Sequence, residues 1–276
     1  MLCDSSLKLL AHPLALCNIV RRIAVAAGDI TLRYYDEAGM DESLYHYKPD
    51  GSPVTQADIE AEAYIMEELK KILPDVPAIG EEACGRGESP ALEGHDYFFL
   101  IDALDGTRQF RNGDPHYTVN IALVHKGEPV VGVVYAPARG ELYAASGPGT
   151  AVRWLAENDR EKPIRVRRPP HGGLIVVASK DHGGSAQMEG FLQGHKVARR
   201  ISLGSSLKLC FIAAGKADLY PRFGETSEWD TAAGDAILRA AGGLITDMRG
   251  QPLTYGKPGA KFLNPEFIAR AQDLAL

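Results

Sequence analysis

Tyr97-Phe98-Phe99-Leu100-Ile101-Asp102-Ala103-Leu104-Asp105-Gly106-Thr107 reads as a buried strand that runs directly into a set of oxygen donors. Five consecutive large apolar residues suit a strand covered on both faces. Carboxylates at a strand's end stand where rigid scaffold meets solvent, so their oxygens can be aimed at a cation. Hard cations such as Mg²⁺ take oxygen ligands from a few carboxylates, waters and substrate phosphate. Asp102 and Asp105, three apart across a tight turn, can face one such ion, with the Leu104 carbonyl added. Gly106 and Thr107 offer backbone N–H groups and a hydroxyl to a phosphate or a water. The same pattern also fits an ordinary turn whose aspartates bond their own backbone, so its surroundings have to settle the matter.

Upstream, Leu16, Ile19, Val20, Ile23, Ala27 and Ile30 recur at helical spacing and predict an amphipathic helix over residues 14–35. A second helix is expected from Thr55 to the neighbourhood of Pro74. Downstream, residues 118–124, 130–135 and 141–145 predict a β meander. Beyond it the pattern alternates: strands at 174–178 and 244–247, helices at 186–192, 205–214 and 229–241. The chain thus divides into an α+β part with an antiparallel sheet (residues 1–155) and an α/β part (residues 156–276).

The 276 residues allow one or two domains, and 45% hydrophobic with 24% charged residues describes an ordinary globular protein. A formal net charge of −6 argues against a nucleic-acid binder. Arg165, Arg167 and Arg168, beside two prolines, read as a solvated strand end. Cys3, Cys17, Cys84 and Cys210 show neither a Cys-x-x-Cys pair nor zinc spacing, which suits a reducing compartment. Residues 7–20 are apolar, but Lys8, His12 and Pro13 interrupt them and Arg21-Arg22 follow. That order is not a signal peptide's, so a soluble, cytoplasmic protein is expected.

Further acids sit at other element ends: Glu81-Glu82 after Ile79-Gly80, and Asp230 opening a helix. Singly, each has a structural reading: loop charges for the glutamates, and complement to a helix N-terminus for Asp230. Thr55-x-x-Asp58 likewise reads as a capping box. Together and in this order, Gly80-Glu81-Glu82, Asp102 to Thr107 and Trp229-Asp230-Thr231-Ala232-Ala233-Gly234 resemble the inositol monophosphatase superfamily of Mg²⁺-dependent phosphatases. Within it, Gly204-Ser205-Ser206-Leu207-Lys208, Leu219 to Gly224 and Phe262-Leu263-Asn264-Pro265 are most similar to the bacterial 3'(2'),5'-bisphosphate nucleotidases.

The resemblance implies a layered αβαβα sandwich and removal of the 3'-phosphate from adenosine 3',5'-bisphosphate, leaving AMP. It implies Glu81, Asp102, Asp105 and Asp230 as side-chain metal ligands and Leu104 as a backbone ligand, holding two or three Mg²⁺. Asp58 and Thr107 would orient and deprotonate the attacking water, with Glu81 assisting through a metal. The substrate would be held by Glu81, Leu104, Asp105, Gly106, Thr107 and Asp230 around the scissile phosphate, and by Ser205, Lys208 and Arg222 around the nucleotide. His182 is a weaker candidate for packing on adenine. In the mechanism implied, the cations neutralise the phosphate and the leaving oxygen during in-line displacement by water. The partner is a small-molecule nucleotide, the assembly a monomer or homodimer, and loose association with the inner membrane face is left open. Competing expectations are an inositol or sugar phosphatase, disfavoured by Ser205, Lys208 and Arg222, and a non-catalytic binder. For the latter the only hint is Ala103, where the superfamily has proline.

Overall fold

The computed structural model describes residues 2–35, 45–47, 53–179 and 186–274. A short helix α1 (Asp4–Leu10) leads into α2 (Pro13–Tyr35), with proline in the first turn, where its missing N–H costs nothing. A two-stranded ribbon, β1 (Tyr45–Tyr47) and β2 (Pro53–Thr55), precedes α3 (Gln56–Ile72), which stops just ahead of Pro74. Leu16, Val20, Ile23 and Ala27 on α2 and Ala61, Ile65 and Leu69 on α3 form the apolar stripes, all buried against one face of a seven-stranded sheet.

That sheet runs β3 (Ala78–Gly80), β4 (Tyr97–Asp105), β5 (Thr118–His125), β6 (Glu128–Ala136), β7 (Glu141–Ala145), β8 (Val152–Leu155) and β9 (Arg160–Pro163) in spatial order. Only β3 and β4 are parallel; every later neighbour is antiparallel. Two short helices lie at the sheet's end, α4 (Glu81–Gly85) after β3 and α5 (Thr107–Arg111) after β4. Phe99 and Ile101 face α2 and α3, while Phe98 and Leu100 face the opposite core. This explains the unbroken apolar run: both faces of β4 meet a helix layer. Phe99 is fully buried, and truncating such a residue to Ala typically costs about 3–5 kcal/mol.

The second sheet has the order β11 (Val197–Leu203), β10 (Leu174–Ser179), β12 (Leu219–Arg222), β14 (Phe267–Ala271) and β13 (Gly243–Asp247). Between the sheets lie α7 (Leu207–Ala213) and α8 (Glu228–Ala240), and Met188 and Leu192 of α6 (Ala186–Leu192) cover the second sheet's other face. The layers are therefore α–β–α–β–α, as the resemblance implies.

Two expectations need correction. Asp102 and Asp105 do not flank a turn: both belong to β4, and the register against β5 slips between them, from Asp102↔Asn120 to Asp105↔Thr118. A β-bulge there re-aims two carboxylates that would otherwise point to opposite faces. The helix expected from Ser205 begins at Leu207, because Ser205 takes a left-handed φ of 58°. β9, which lies beyond residue 155, pairs with β8 of the same sheet. Among the described residues no single helix is long and apolar enough to cross a membrane.

Candidate active site

The carboxylates of Glu81, Asp102 and Asp230 converge so that one oxygen from each lies within 4.8 Å of the others. Glu81 opens α4 after β3, Asp102 precedes the β4 bulge, and Asp230 is in the first turn of α8. The oxygens keep their aim through local bonds: the Leu104 N–H donates to Asp102 Oδ1 at 3.0 Å, and the Ser227 N–H to Asp230 Oδ2 at 2.8 Å. Burial, and after it the charges of Glu81, Asp105 and Asp230, raise the Asp102 carboxyl well above its ordinary value. Burial followed by Asp105 and Glu81 does the same to Asp230. Converging hard-oxygen donors that repel one another, Asp102 buried and Glu81 and Asp230 half-buried, fit a small divalent cation, which would reverse the sign of that interaction.

Asp105 is oriented differently. Its Oδ2 accepts from Ser205 Oγ at 2.7 Å, Ser206 N at 2.8 Å and Asn120 Nδ2 at 3.2 Å, and Asp105 is not one of the three acids whose oxygens converge. Asn120, buried on β5, also donates to Ser206 Oγ at 3.0 Å, and Ser206 Oγ donates to the Asp230 carbonyl at 2.5 Å. One amide thus ties the β4 carboxylate to the helix that carries Asp230.

Asp58 performs two tasks with two oxygens. Oδ2 accepts from Thr55 N at 2.8 Å and Thr55 Oγ1 at 2.6 Å, completing the capping box of α3. Oδ1 accepts from Thr107 Oγ1 at 3.4 Å, and that hydroxyl also lies 3.4 Å from the Leu104 carbonyl. Burial pushes the Asp58 carboxyl up to about 7, against the lowering effect of Thr55 and with Glu82 and Glu81 adding to the rise. Gly106 precedes Thr107 with φ 94°, a left-handed conformation that side chains resist, and so starts α5 at the end of β4.

A cavity of about 160 Å³ is lined by Asp105, Gly106, Ser205, Lys208, Arg222 and Asp230 among others. Lys208 Nζ donates to the Ser205 carbonyl at 2.5 Å and lies over the Tyr220 ring; Arg222 bonds the Gly224 and Glu225 carbonyls. Ser179, Tyr220 and Arg222 also line a neighbouring hollow of about 130 Å³ with Met188 and Phe223 in its wall. Every residue named above as a ligand, catalyst or substrate contact is thereby brought to one region, whereas His182 lies outside the described residues.

Two residues with no assigned part emerge from the geometry. Asn120 is one. Glu62 is the other: buried on α3, it accepts from Glu82 N and Ala83 N, both at 2.8 Å, so it holds the first turn of α4 that begins with Glu81. Gly80 makes room for it, since a Cβ there would meet the Glu62 carboxylate at 2.5 Å. These bonds span twenty residues or more, so no local pattern announces them.

Ala103, 3% exposed, occupies the bulge, a location where sheets accept proline. Ala103→Pro is expected to stabilise the protein by about 0.4–1 kcal/mol through the unfolded chain, raising the melting midpoint by at most about 2–4 °C. A fall in midpoint together with weaker Mg²⁺ dependence of turnover would show that the Ala103 N–H is needed.

This fold, with acids converging beside a phosphate-sized cavity, defines a phosphatase scaffold, and the chain belongs to the inositol monophosphatase family, which it matches over residues 15–273. It is 43% identical over 253 residues to the 3'(2'),5'-bisphosphate nucleotidase CysQ of Escherichia coli strain K12, covering 90% of this chain and 96% of that one. The protein of the same name from Haemophilus influenzae is 32% identical over 255 residues, covering 92% of this chain and 91% of that one. Among solved structures, CysQ from Bacteroides thetaiotaomicron superposes with a TM-score of 0.79 at 32% identity, over 94% of this chain and 98% of that one. The extragenic suppressor protein suhB from Bartonella henselae gives 0.75 at 28%, over 94% of each.

Proposed function

We propose that this chain is a Mg²⁺-dependent 3'(2'),5'-bisphosphate nucleotidase that removes the 3'-phosphate of adenosine 3',5'-bisphosphate to give AMP. The observation that carries the reading is the placement of Lys208 and Arg222 in the same cavity as Asp105 and Asp230, opening toward the hollow with Met188 and Phe223. Such a site offers oxygen donors for a cation, cations for a second phosphate and an apolar wall for a base. The similarity to the CysQ nucleotidases along most of the chain supports it.

Glu81, Asp102, Asp105, Asp230 and the Leu104 carbonyl would hold two or three Mg²⁺. When bound, these ions supply charge neutralisation to the phosphate and the leaving oxygen and make water a better nucleophile. The chain's own work is positioning and proton handling. Thr107 Oγ1, bonded to Asp58 Oδ1, orients the attacking water and passes its proton toward the carboxylate. Gly106 and Thr107 present the start of α5 to the scissile phosphate. Ser205, Lys208 and Arg222 hold the remainder of the nucleotide. The enzyme is expected to work in the cytoplasm on a free nucleotide.

Phosphate release from adenosine 3',5'-bisphosphate and from inositol 1-phosphate, each with and without Mg²⁺, tests the reading. Mg²⁺-dependent release with strong preference for the nucleotide is expected; preference for the inositol ester would overturn it. Lys208→Ala or Arg222→Ala should lower kcat/KM for the nucleotide by about ten- to hundredfold, the worth of one charged hydrogen bond, and affect a small monophosphate far less. Equal losses on both substrates would remove these residues from nucleotide binding.

A further inference from the structure

A second concave site lies at the far end of the seven-stranded sheet, between β8, β9 and the residues that follow α7. Its cavity, about 200 Å³, is lined by Arg153, Arg160, Lys162 and Lys216, with Leu155 and Ile164 among its apolar walls and no acidic residue among those lining it. None of these residues lines the cavity around Asp105 and Asp230.

The strand register makes the charge arrangement costly as it stands. Arg153 of β8 sits directly opposite Lys162 of β9, and like charges in that position destabilise a sheet. Arg160 opposes Leu155 one pair along on the same face, since 153, 155, 160 and 162 alternate together. Among the described residues only one carboxylate pairs with these cations. Glu141, with 3% of its side chain exposed, pairs with Arg139, Arg153 and Lys216 simultaneously. Arg160 and Lys162 make no ion pair among the described residues. Burial holds the Lys216 ammonium below its usual range; Glu141 opposes that, and Arg153 and Arg139 add to it. In a chain of net charge −6, four cations line this hollow, and only Arg153 and Lys216 among them pair with Glu141. A merely solvated basic face would let such side chains diverge into water, whereas here four of them border one concavity with apolar walls. A compact anion placed there would bridge Arg153 and Lys162 and turn the unfavourable cross-strand pair into two charge-assisted contacts.

We propose that this cavity binds a small, soluble, multiply charged phosphate anion of the diphosphate class. Such a group concentrates several negative charges on a frame small enough for the cavity, and it presents oxygens on two sides. The site does not depend on the reaction assigned above.

Isothermal titration with inorganic pyrophosphate, in chelator so that no divalent cation fills the acidic centre, tests the proposal. One molecule per chain is expected to bind saturably. Lys162→Glu and, separately, Arg160→Glu should weaken binding by at least about tenfold. Both positions are exposed, so neither variant should melt below the parent; Lys162→Glu ends the like-charge pairing with Arg153, and two variants guard against one misfolding. Arg222→Ala should leave the binding intact. Absence of saturable binding, full affinity in both charge-reversed proteins, or loss of binding in Arg222→Ala would each overturn the site. Sedimentation with vesicles bearing inositol bisphosphate headgroups, lost in Lys162→Glu while soluble pyrophosphate fails to bind, would overturn the soluble ligand in favour of a lipid.

Discussion

Asp58→Asn is expected to lower kcat by about 10²-fold or more while the protein keeps its fold and its melting midpoint. The two carboxylate oxygens separate the structural task from the chemical one. Asn retains an oxygen for the Thr55 N–H and hydroxyl, which both point at Oδ2, and Asn caps helices as well as Asp does. Nor does the substitution bury anything worse, since burial already raises this carboxyl to about 7. What changes is the group facing Thr107. Oδ1 accepts from the Thr107 hydroxyl, whereas an amide nitrogen there donates and has no basicity. The hydroxyl then loses the acceptor to which it passes a proton. Thr107→Ala should cost about as much alone, and little more when added to Asp58→Asn, because groups acting as a unit are not additive. Turnover by the parent should rise with pH through the titration of Asp58, displaced downward by any cation bound beside it, and the variant should lose that limb. Full turnover by Asp58→Asn would leave this residue a helix cap only.

The capping box at Thr55 and Asp58 was fully legible in the sequence, because it depends on residues three apart. So was the first part of β4, residues 97–101, whose apolar run needs no partner to be recognised, and so were α2 and α8. The bulge was not legible. Asp102 to Asp105 spells a turn locally, and only pairing with Thr118 and Asn120 shows an extended strand with one extra residue. Two of the strands left unassigned share a physical cause. Arg160–Pro163 is exposed throughout, and Val197–Leu203 is an edge strand with exposed charges, so neither carries an apolar alternation. Glu81, Asp102 and Asp230, whose oxygens converge, were legible as a constellation through their order along the chain. The side chains that aim them were not. Glu62 on α4 and Asn120 on Asp105 and Ser206 act across 15 to 86 residues, and a buried carboxylate or amide in a sequence carries no mark of its partner. Ser205, left-handed without being glycine, is of the same kind: its conformation follows from bonds to Asp105 and Thr118.

Asp102→Asn is expected to move stability and activity in opposite directions. In the metal-free protein Asp102 is buried beside Glu81, Asp105 and Asp230, and its carboxyl is raised well above the usual carboxylate value. A carboxyl raised in the folded state keeps its proton to higher pH than it does in the unfolded chain. Its contribution is therefore fully present at low pH and is lost as pH rises through the folded-state value. Asp230 is raised for the same reasons and acts with the same sign. Chelated parent protein should accordingly melt at lower temperature as pH climbs above the ordinary carboxylate range, and Mg²⁺ should restore the midpoint most at the upper end, where no proton competes with it. Asn at position 102 keeps an oxygen for the Leu104 N–H and supplies an NH₂ next to the carboxylates of Glu81 and Asp230, so one repelling charge becomes a donor. The variant should melt higher than the chelated parent at pH 8, show a flatter pH profile, and gain little from Mg²⁺. Its turnover should fall by at least about 10³-fold, because neutralisation of transition-state charge by a bound cation is worth several kcal/mol and each 1.36 kcal/mol is about tenfold in rate. Thermal melts across pH, with chelator and with Mg²⁺, together with phosphate release, measure all four quantities. A chelated variant less stable than the parent at pH 8 would mean that Asp102 is held by favourable bonds and that the strain of the acid cluster resides elsewhere.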